Sequence, residues 1–496
     1  MAAPGDRIVC QCGSGALHDG AGAPRFPPVG SRCTAPAAGR RQETGMTYTR
    51  APQPITFPEM LRPDARLLIR GGRIVDPAHG VDAVKDLVIA DGRVQEVADA
   101  ILPERGDRII DAAGLLVIPG LIDLHCHFHD LFDVSTMPST EVVAHGTTVA
   151  LTPGAGNTLM APALLGAEVD RGLPLHVGCY IGAAAVLSTR ASPEQLIAYF
   201  RGELPESTRL QVISRNPITN ATGSLAVGLK DHMGHWILSD EDLETCFTIS
   251  QQAGMLFMSH CQDPEHAERL AEASRGRRVL LTHATAAGSG SHGDAVASLQ
   301  HVLALARDHK GVTVDFTTAH LRRSRGLRDG ILIDARAQVT ARDAIAGGRC
   351  RLLTSDGPCN ATMKGFGDAR ENIPCLLELA EEGVVPLSDA VAMMTINPVR
   401  FAAEATGQRW WTQELGHLGA GARASVVLVE PHAQRAVMTL VEGARRRRVG
   451  QPHGSAAEGW SRGSAVVSLA VIARSEATKQ SPWWGRSPRP FGPRDD

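Results

Sequence analysis

Residues 118–127 read Ile-Pro-Gly-Leu-Ile-Asp-Leu-His-Cys-His, an apolar run that ends in two histidines separated by one residue. Side chains alternate along a β-strand, so His125 and His127 face the same side. Two imidazoles on one side of a strand end can chelate one metal ion. The stretch therefore predicts a buried strand that ends in a candidate metal site.

The run around these histidines is the first of eight apolar or alternating runs, and each is typical of a buried strand. Segments of helical period lie between or just after them, for example Asp240–Ala253 and Pro264–Ser274. A βα unit that repeats eight times in roughly 270 residues predicts an α/β fold, a (β/α)8 TIM barrel. The eight runs are Leu115–His127, Thr147–Pro153, Leu175–Gly182, Ala226–Asp231, Met255–Cys261, Arg278–Ala284, Val312–Thr318 and Cys350–Asp356.

A small β-domain is predicted beside the barrel. Short β-branched runs between Ala65 and Ala113 are separated by Gly-Gly and by Asp91-Gly92, a dipeptide that favours a tight hairpin. After the barrel, Ala424–Glu430 and Val437–Glu442 are two more strand-like runs. We expect them to return to the first segment and complete a β-sandwich.

These patterns divide the chain into two folded parts and two tails. We expect residues 63–113 and 415–449 to form the β-domain, and residues 114–414 to form the metal-dependent barrel. Residues 1–62 and 450–496 show no sustained helical or strand period, so they cannot bury enough apolar surface to offset the entropy of ordering. We expect a disordered extension and a disordered tail.

The composition excludes several classes of protein. The 496 residues carry a net charge of −3, without the basic excess that is usual in proteins that bind nucleic acid. No apolar run reaches the ~18 residues that a membrane helix needs. The 10 cysteines show no framework spacing, and no secretory signal or nucleotide-binding glycine pattern occurs. We expect a cytoplasmic homo-oligomer that acts on a small molecule and binds no nucleic acid, membrane or nucleotide cofactor.

Polar residues stand at the ends of five predicted strands, which is where a barrel carries its chemistry. A lone histidine is more often a core or surface residue, and we interpret His145, His176, His301 and His309 in that way. The role of a metal ligand is favoured where a histidine falls at the end of an independently predicted strand. The residues that satisfy this condition, with one lysine and one aspartate, are His125, His127, Lys230, His260, His283 and Asp356.

In these residues the chain resembles the amidohydrolase superfamily, and within it the group of dihydroorotases, hydantoinases and allantoinases. The resemblance runs from about Leu67 to Glu442. It rests on the segment Ile118–His127, on Thr-Ile-Asn-Pro-Val-Arg-Phe-Ala at Thr395–Ala402, and on the order His-x-His, Lys, His, His, Asp.

The resemblance implies a centre of two divalent metal ions, usually zinc. The implied ligands are His125, His127 and Asp356 for one ion and His260 and His283 for the other, with Lys230 bridging both as a CO2-derived carbamate. It also implies that a hydroxide shared by the ions attacks the substrate and that Asp356 carries the proton to the leaving nitrogen. The implied reaction is hydrolysis of an amide C–N bond, most simply in a lactam, imide or hydantoin.

The chain departs from the dihydroorotases at positions that would bind an anionic substrate. His129 stands where they carry an arginine, Thr152-Pro153-Gly154 replaces their Met-Pro-Asn, and Asn360 replaces a histidine. These departures argue against dihydroorotate as the substrate. We expect substrate contacts from Asn157, His232, His235, His320 and Asn360.

Three alternatives stay open. Ser355-Asp356-Gly357 also resembles the isoaspartyl dipeptidase branch, so the substrate could be a linear N-acyl amino acid or a dipeptide. A deaminase is a second alternative. The third is a catalytically silent scaffold, which the retention of all six ligands argues against. Arginines in the loop His320–Arg328 could meet an anionic group, although arginines in surface loops are more often solvated.

Overall fold

The computed structural model describes residues 66–128, 137–154, 158–231, 238–323, 333–357 and 367–442, together with the backbone of residues 444–448. The two predicted disordered segments, residues 1–62 and 450–496, lie outside the described residues.

Strands from both ends of the described chain form one sheet of eight strands, in the order β17-β16-β15-β5-β1-β2-β3 with β4 beside β1. Asp91 and Gly92 both have positive φ angles, 50° and 71°, as the tight turn between β2 and β3 requires. The predicted additional sheet, built from segments before and after the barrel, is confirmed. Its strands are β1 (Leu67–Asp76), β2 (Val81–Ala90), β3 (Arg93–Ala98), β4 (Arg108–Asp111), β5 (Leu116–Pro119), β15 (Val426–Glu430), β16 (Arg435–Val441) and β17 (Ala444–Arg448).

Strand β17 was not predicted. The sequence shows a run of four arginines there, which has no alternation of polar and apolar residues. In the structure this run pairs antiparallel with β16. Backbone pairing to an existing strand edge does not depend on a hydrophobic pattern, so the sequence offered no indication of it.

The barrel is built from a parallel sheet in which strands β6 to β12 lie side by side in chain order. Strands β13 and β14 form a parallel pair next to them. The ring closes between its last and first strands, because Asp356 N–H donates to the His125 carbonyl at 2.9 Å and His127 N–H donates to the Gly357 carbonyl at 2.6 Å. The predicted (β/α)8 barrel is confirmed. Its strands are β6 (Leu121–Asp123), β7 (Thr147–Thr152), β8 (His176–Gly182), β9 (Gly228–Asp231), β10 (Leu256–His260), β11 (Val279–Thr282), β12 (Val312–Val314), β13 (Phe316–Thr317) and β14 (Leu353–Thr354).

Two of the predicted strands differ in the structure. The run Leu115–His127 divides at Gly120 into β5, which belongs to the smaller sheet, and β6, which belongs to the barrel. Gly120 lies so close to Thr148 that a Cβ atom would stand 2.2 Å from its Oγ1 atom. The run Val312–Thr318 divides at Asp315 into β12 and β13. In both cases, one predicted run supplies strands to two different sheets.

Fifteen α-helices occur among the described residues, and two of them match their predicted bounds: α7 (Asp240–Ala253) and α8 (Pro264–Ser274). Ser239 forms a capping box with Asp242 at the start of α7, and Asp263 caps α8 ahead of Pro264. The others are α1 (Ser139–Ala144), α2 (Ala161–Arg171), α3 (Ala183–Leu187), α4 (Pro193–Phe200), α5 (Glu206–Val212), α6 (Pro217–Thr222), α9 (Ala295–Asp308), α10 (Thr318–Leu321), α11 (Ala335–Ala346), α12 (Asn372–Glu381), α13 (Leu387–Ala392), α14 (Ile396–Thr406) and α15 (Trp410–Glu414).

Apolar side chains pack between the barrel strands and the helices outside them. The largest buried cluster joins strand residues such as Leu229, Phe257 and Leu281 to helix residues such as Phe247 and Leu299, all of which are fully buried. Burial of this apolar surface holds the strands in register, so the strand ends have fixed positions. Within the described ranges, no helix has the length and apolar character to cross a membrane.

Candidate metal centre

The six residues singled out from the sequence all stand at the same end of barrel strands. His125 and His127 follow β6, Lys230 lies in β9, His260 ends β10, His283 follows β11, and Asp356 follows β14. Parallel strands present these ends at one mouth of the barrel, where a site built from several strands can form.

The first group of side chains consists of His125, His127 and Asp356. The Nε2 atom of His125 lies 3.0 Å from Asp356 Oδ1 and 3.3 Å from His127 Nε2. The Nε2 atom of His127 lies 3.5 Å from the same Asp356 oxygen. One donor atom from each residue falls within 4.8 Å of the other two, so the group can hold a metal ion.

The second group consists of His260 and His283. The Nδ1 atom of His260 lies 3.0 Å from the Nε2 atom of His283, and the two rings are nearly perpendicular, at 67°. The ring centroid of His283 is also 5.0 Å from that of His125. The two groups are therefore neighbours.

Lys230 is fully buried, with 1% of its surface exposed. Its Nζ atom donates to the carbonyl oxygen of Asp231 at 3.4 Å. Burial lowers the pKa of Lys230 to about 8, against the opposing effect of Asp231 and Asp356. A neutral amine is therefore accessible near physiological pH, and the neutral form is the nucleophilic form of a lysine.

Three histidines of the two groups are held neutral. Burial lowers the pKa of His125 to about 4 and that of His260 to about 3, and it places the pKa of His283 well below its ordinary value. Burial disfavours the charged form of Asp356, but its interactions with His283 and His125 outweigh burial and keep its pKa well below the usual range. Neutral imidazole and ionised carboxylate are the forms that bind metal ions.

Hydrogen bonds orient two of these imidazoles. The Nδ1 atom of His125 lies 2.7 Å from the Thr282 hydroxyl oxygen, so Nε2 is the nitrogen that faces Asp356. The Nε2 atom of His260 lies 3.3 Å from Gln262 Oε1, and the amide nitrogen of Gln262 donates to the Ser291 hydroxyl at 2.8 Å. The sequence interpretation missed both Thr282 and Gln262. Gln262 follows His260 by two residues, the strand spacing that singled out His127.

The backbone is strained at two residues of the centre. His283 and Asp356 have φ angles of 42° and 45°, in the left-handed region that residues with a side chain rarely adopt. Non-glycine residues held in this region cluster at functional sites, where the surrounding structure compensates for the strain.

Four of the five predicted substrate contacts, Asn157, His232, His235 and Asn360, lie outside the described residues, as does His129. His320 lies in α10 and is fully buried, with its Nδ1 atom 2.8 Å from the Thr285 hydroxyl oxygen. Burial lowers its pKa to about 4, and the charge of Asp356 opposes this shift. His320 is thus neutral and within electrostatic range of the centre, and its contact with a substrate stays a prediction.

Two arginines of the loop His320–Arg328 have carboxylate partners. Arg322 lies 3.2 Å from a carboxylate oxygen of Glu371 and 2.9 Å from one of Glu378. Arg323 lies 2.5 Å from a carboxylate oxygen of Glu382. These pairs attach the start of the loop to α12 and to the residues directly before and after it. The rest of the loop, from residue 324, lies outside the described residues.

Residues 116–451 match the amidohydrolase family. The chain belongs to the amidohydrolase family. A dihydroorotase from a Geobacter species is 24% identical to this amidohydrolase, over 74% of this chain and 89% of the relative. The solved structure of a dihydropyrimidinase from Brevibacillus agri shares its fold, with a TM-score of 0.57 at 16% identity, over 77% of this chain and 94% of that one. The structure of a D-hydantoinase gives a TM-score of 0.58 at 16% identity, over 78% and 97%.

The predicted family is therefore confirmed, and with it the predicted class of hydrolase. The group of His125, His127 and Asp356 in this amidohydrolase indicates metal binding. The number and identity of the ions and the substrate belong to the proposal that follows.

Proposed function

We propose that this amidohydrolase is a metal-dependent hydrolase that opens the ring of a cyclic amide of lactam, imide or hydantoin type. The observation that carries the proposal is the convergence of His125, His127 and Asp356 at the barrel mouth, with three donor atoms within 4.8 Å of one another. The pair His260 and His283 lies directly beside this group.

The donor set fits two divalent ions, with zinc favoured. All the donors are imidazole nitrogens or carboxylate oxygens without a thiolate, a set that suits zinc and, less well, manganese, iron or cobalt. His125, His127 and Asp356 would hold one ion, and His260 and His283 would hold the other. The buried amine of Lys230, once carboxylated by CO2, would supply the two oxygens that a bridge between the ions requires.

Divalent ions bound there would polarise the substrate carbonyl and make a water nucleophilic at neutral pH. Residues of the chain would carry the proton and provide the metal ligands. Asp356, whose Oδ1 atom faces both histidines, would accept a proton during attack on the carbonyl and donate it to the ring nitrogen as the C–N bond breaks. His125, His260 and His283, neutral because of burial, would keep their ligand nitrogens free of protons.

The relatives support a cyclic substrate. The similar sequences are named dihydroorotase, and the structures that share the fold include a dihydropyrimidinase and a D-hydantoinase. Structures of a β-aspartyl dipeptidase and of an N-acyl-D-glutamate deacylase share the fold as well, at 16% and 18% identity. A linear amide is therefore the competing class of substrate. The cytoplasmic location and the homo-oligomer stay predictions.

A substrate panel tests the proposal. Zinc-loaded protein and protein treated with a chelator would be assayed on hydantoins, dihydropyrimidines, lactams, imides, linear N-acyl amino acids and β-aspartyl dipeptides. We expect ring opening that depends on the metal and is lost in His283→Ala. The matched control is His301→Ala, which changes a half-exposed histidine on α9. Hydrolysis of linear amides alone would show that the substrate is a linear amide and not a cyclic one. Equal rates with and without metal would refute the proposal.

A further inference from the structure

Asp315 connects three neighbouring strand segments directly beneath the candidate metal centre. It lies at the break between β12 and β13 and is fully buried. Its Oδ1 atom accepts a hydrogen bond from His283 N–H at 2.7 Å and another from the Thr354 hydroxyl at 2.8 Å. Its carbonyl oxygen accepts from Ala284 N–H, also at 2.8 Å.

These bonds hold the backbone of His283 in its unfavourable conformation. The φ angle of His283 is 42°, and the N–H groups of His283 and of the next residue both donate to Asp315. In this conformation the His283 ring places Nε2 3.0 Å from His260 Nδ1. Without the bonds to Asp315, the residue is expected to relax toward an ordinary backbone conformation, which would turn the ring away from His260.

A second path leads from Asp315 to the other group of ligands. Burial raises the pKa of Asp315 to about 7, and the Thr282 hydroxyl opposes this rise as a hydrogen-bond donor to the carboxyl group. The Thr282 hydroxyl oxygen lies 2.7 Å from His125 Nδ1. A hydroxyl has one proton, so when it donates to the carboxylate its oxygen accepts from the imidazole N–H. The proton of His125 then stands on Nδ1, which leaves Nε2, the atom 3.0 Å from Asp356 Oδ1, available as a metal ligand.

We propose that Asp315 is a positioning residue for both halves of the metal centre: it fixes the backbone of His283 directly and orients His125 through the Thr282 hydroxyl. The inference rests on the proposed metal-dependent function. Asp315 is fully buried, and its Oδ1 atom already accepts from His283 N–H and the Thr354 hydroxyl. Groups that orient metal ligands in this way contribute about 10-fold to 100-fold to metal affinity.

The test compares zinc affinity across four variants of the full chain, by competition with a chromogenic chelator. Asp315→Ala removes the carboxylate from both paths and leaves only the backbone bond from Ala284 N–H to the carbonyl of residue 315. Asp315→Asn keeps one acceptor oxygen, and Thr282→Val removes only the path to His125. The matched control is Asp86→Ala, because Asp86 is a buried aspartate of the smaller sheet whose carboxylate accepts from Gly71 N–H and Ile101 N–H. Absorption spectra of the cobalt-loaded proteins report the ligand geometry, and circular dichroism reports folding.

We expect a loss of zinc affinity of roughly 10-fold or more in Asp315→Ala with a changed cobalt spectrum, and a smaller loss in Asp315→Asn. Thr282→Val should also weaken binding, whereas Asp86→Ala should keep the affinity and spectrum of the unmodified chain. If Asp315→Ala does not fold, Asp315→Asn and Thr282→Val decide the question. Unchanged affinity and spectrum in these variants would overturn the positioning role alone. Absence of zinc binding in the unmodified chain would overturn the proposed function and this inference together.

Discussion

The Nδ1 atom of His260 lies 3.0 Å from the Nε2 atom of His283. The contact between His260 Nε2 and Gln262 Oε1 places the His260 proton on Nε2, so its Nδ1 atom faces the partner ring as an unprotonated nitrogen. Burial keeps both rings neutral. Two imidazole nitrogens that converge in this way would hold a cation between them, and this pair is the basis for the second ion that we propose.

Replacement of the lysine tests the bridge. In Lys230→Ala we expect metal content and hydrolysis to fall together, because the variant lacks the group that would join the two ions. A small carboxylic acid added in solution should restore part of both by occupying the vacated position. Elemental analysis measures the metal content, and steady-state kinetics measure hydrolysis. The control is Lys310→Ala, which changes an exposed lysine. Normal metal content in Lys230→Ala would show that Lys230 does not bridge the two ions.

Replacement of the aspartate separates metal binding from proton transfer. Asp356→Asn keeps a carbonyl oxygen near His125 and His127 but cannot accept a proton at neutral pH. We expect metal content to fall modestly and turnover to fall by about 10² or more. The measurement is steady-state kinetics at matched metal occupancy. If turnover stayed near that of the unmodified chain, the proton would have to be carried by another group, with His232, His235 and His320 as the next candidates.

Truncation tests the predicted extents of the folded parts. A chain that begins at Met46 and ends at Gly450 keeps every described strand, from β1 at Leu67 to β17 at Arg448. We expect its melting temperature and its hydrolytic activity to match those of the full chain, since the removed residues show no periodic apolar face. Thermal melting of both chains is the measurement. A clearly lower melting temperature would show that one of the removed segments packs against the core.

Dihydroorotate should be a poor substrate. His129 replaces the arginine with which dihydroorotases bind the substrate carboxylate, and a carboxylate that leaves water without a charged partner loses several kcal/mol of solvation, on the order of 2–5. Steady-state assays should show turnover far below that on the preferred ring substrate. Comparable turnover would mean that another cation binds the carboxylate, for example an arginine beyond position 323 in the loop after β13.

The barrel and the six candidate ligands could be predicted because each leaves a local pattern. Apolar runs mark the strands, and a histidine, lysine or aspartate at the end of such a run is visible without any knowledge of its neighbours. The structure places all six at one barrel mouth: five form the two groups around His125 and His260, and Lys230 lies within electrostatic range of Asp356.

The supporting residues could not be predicted, because their roles exist only between strands. Asp315 and Thr282 are single polar residues within apolar runs, and nothing local distinguishes them from other polar residues of a strand. Their partners lie on other strands, such as His125, which is 157 positions from Thr282 in sequence. The break at Gly120 also depends on a distant neighbour, Thr148.

The metal content of the folded protein tests the central claim most directly. Protein loaded with zinc in the presence of bicarbonate and then freed of excess metal would be measured by elemental analysis. We expect about two zinc ions per chain, because the two adjacent groups of ligands would each hold one. A saturating content near one ion per chain would contradict the bridged pair of ions, and a content near zero would contradict the metal-dependent function itself.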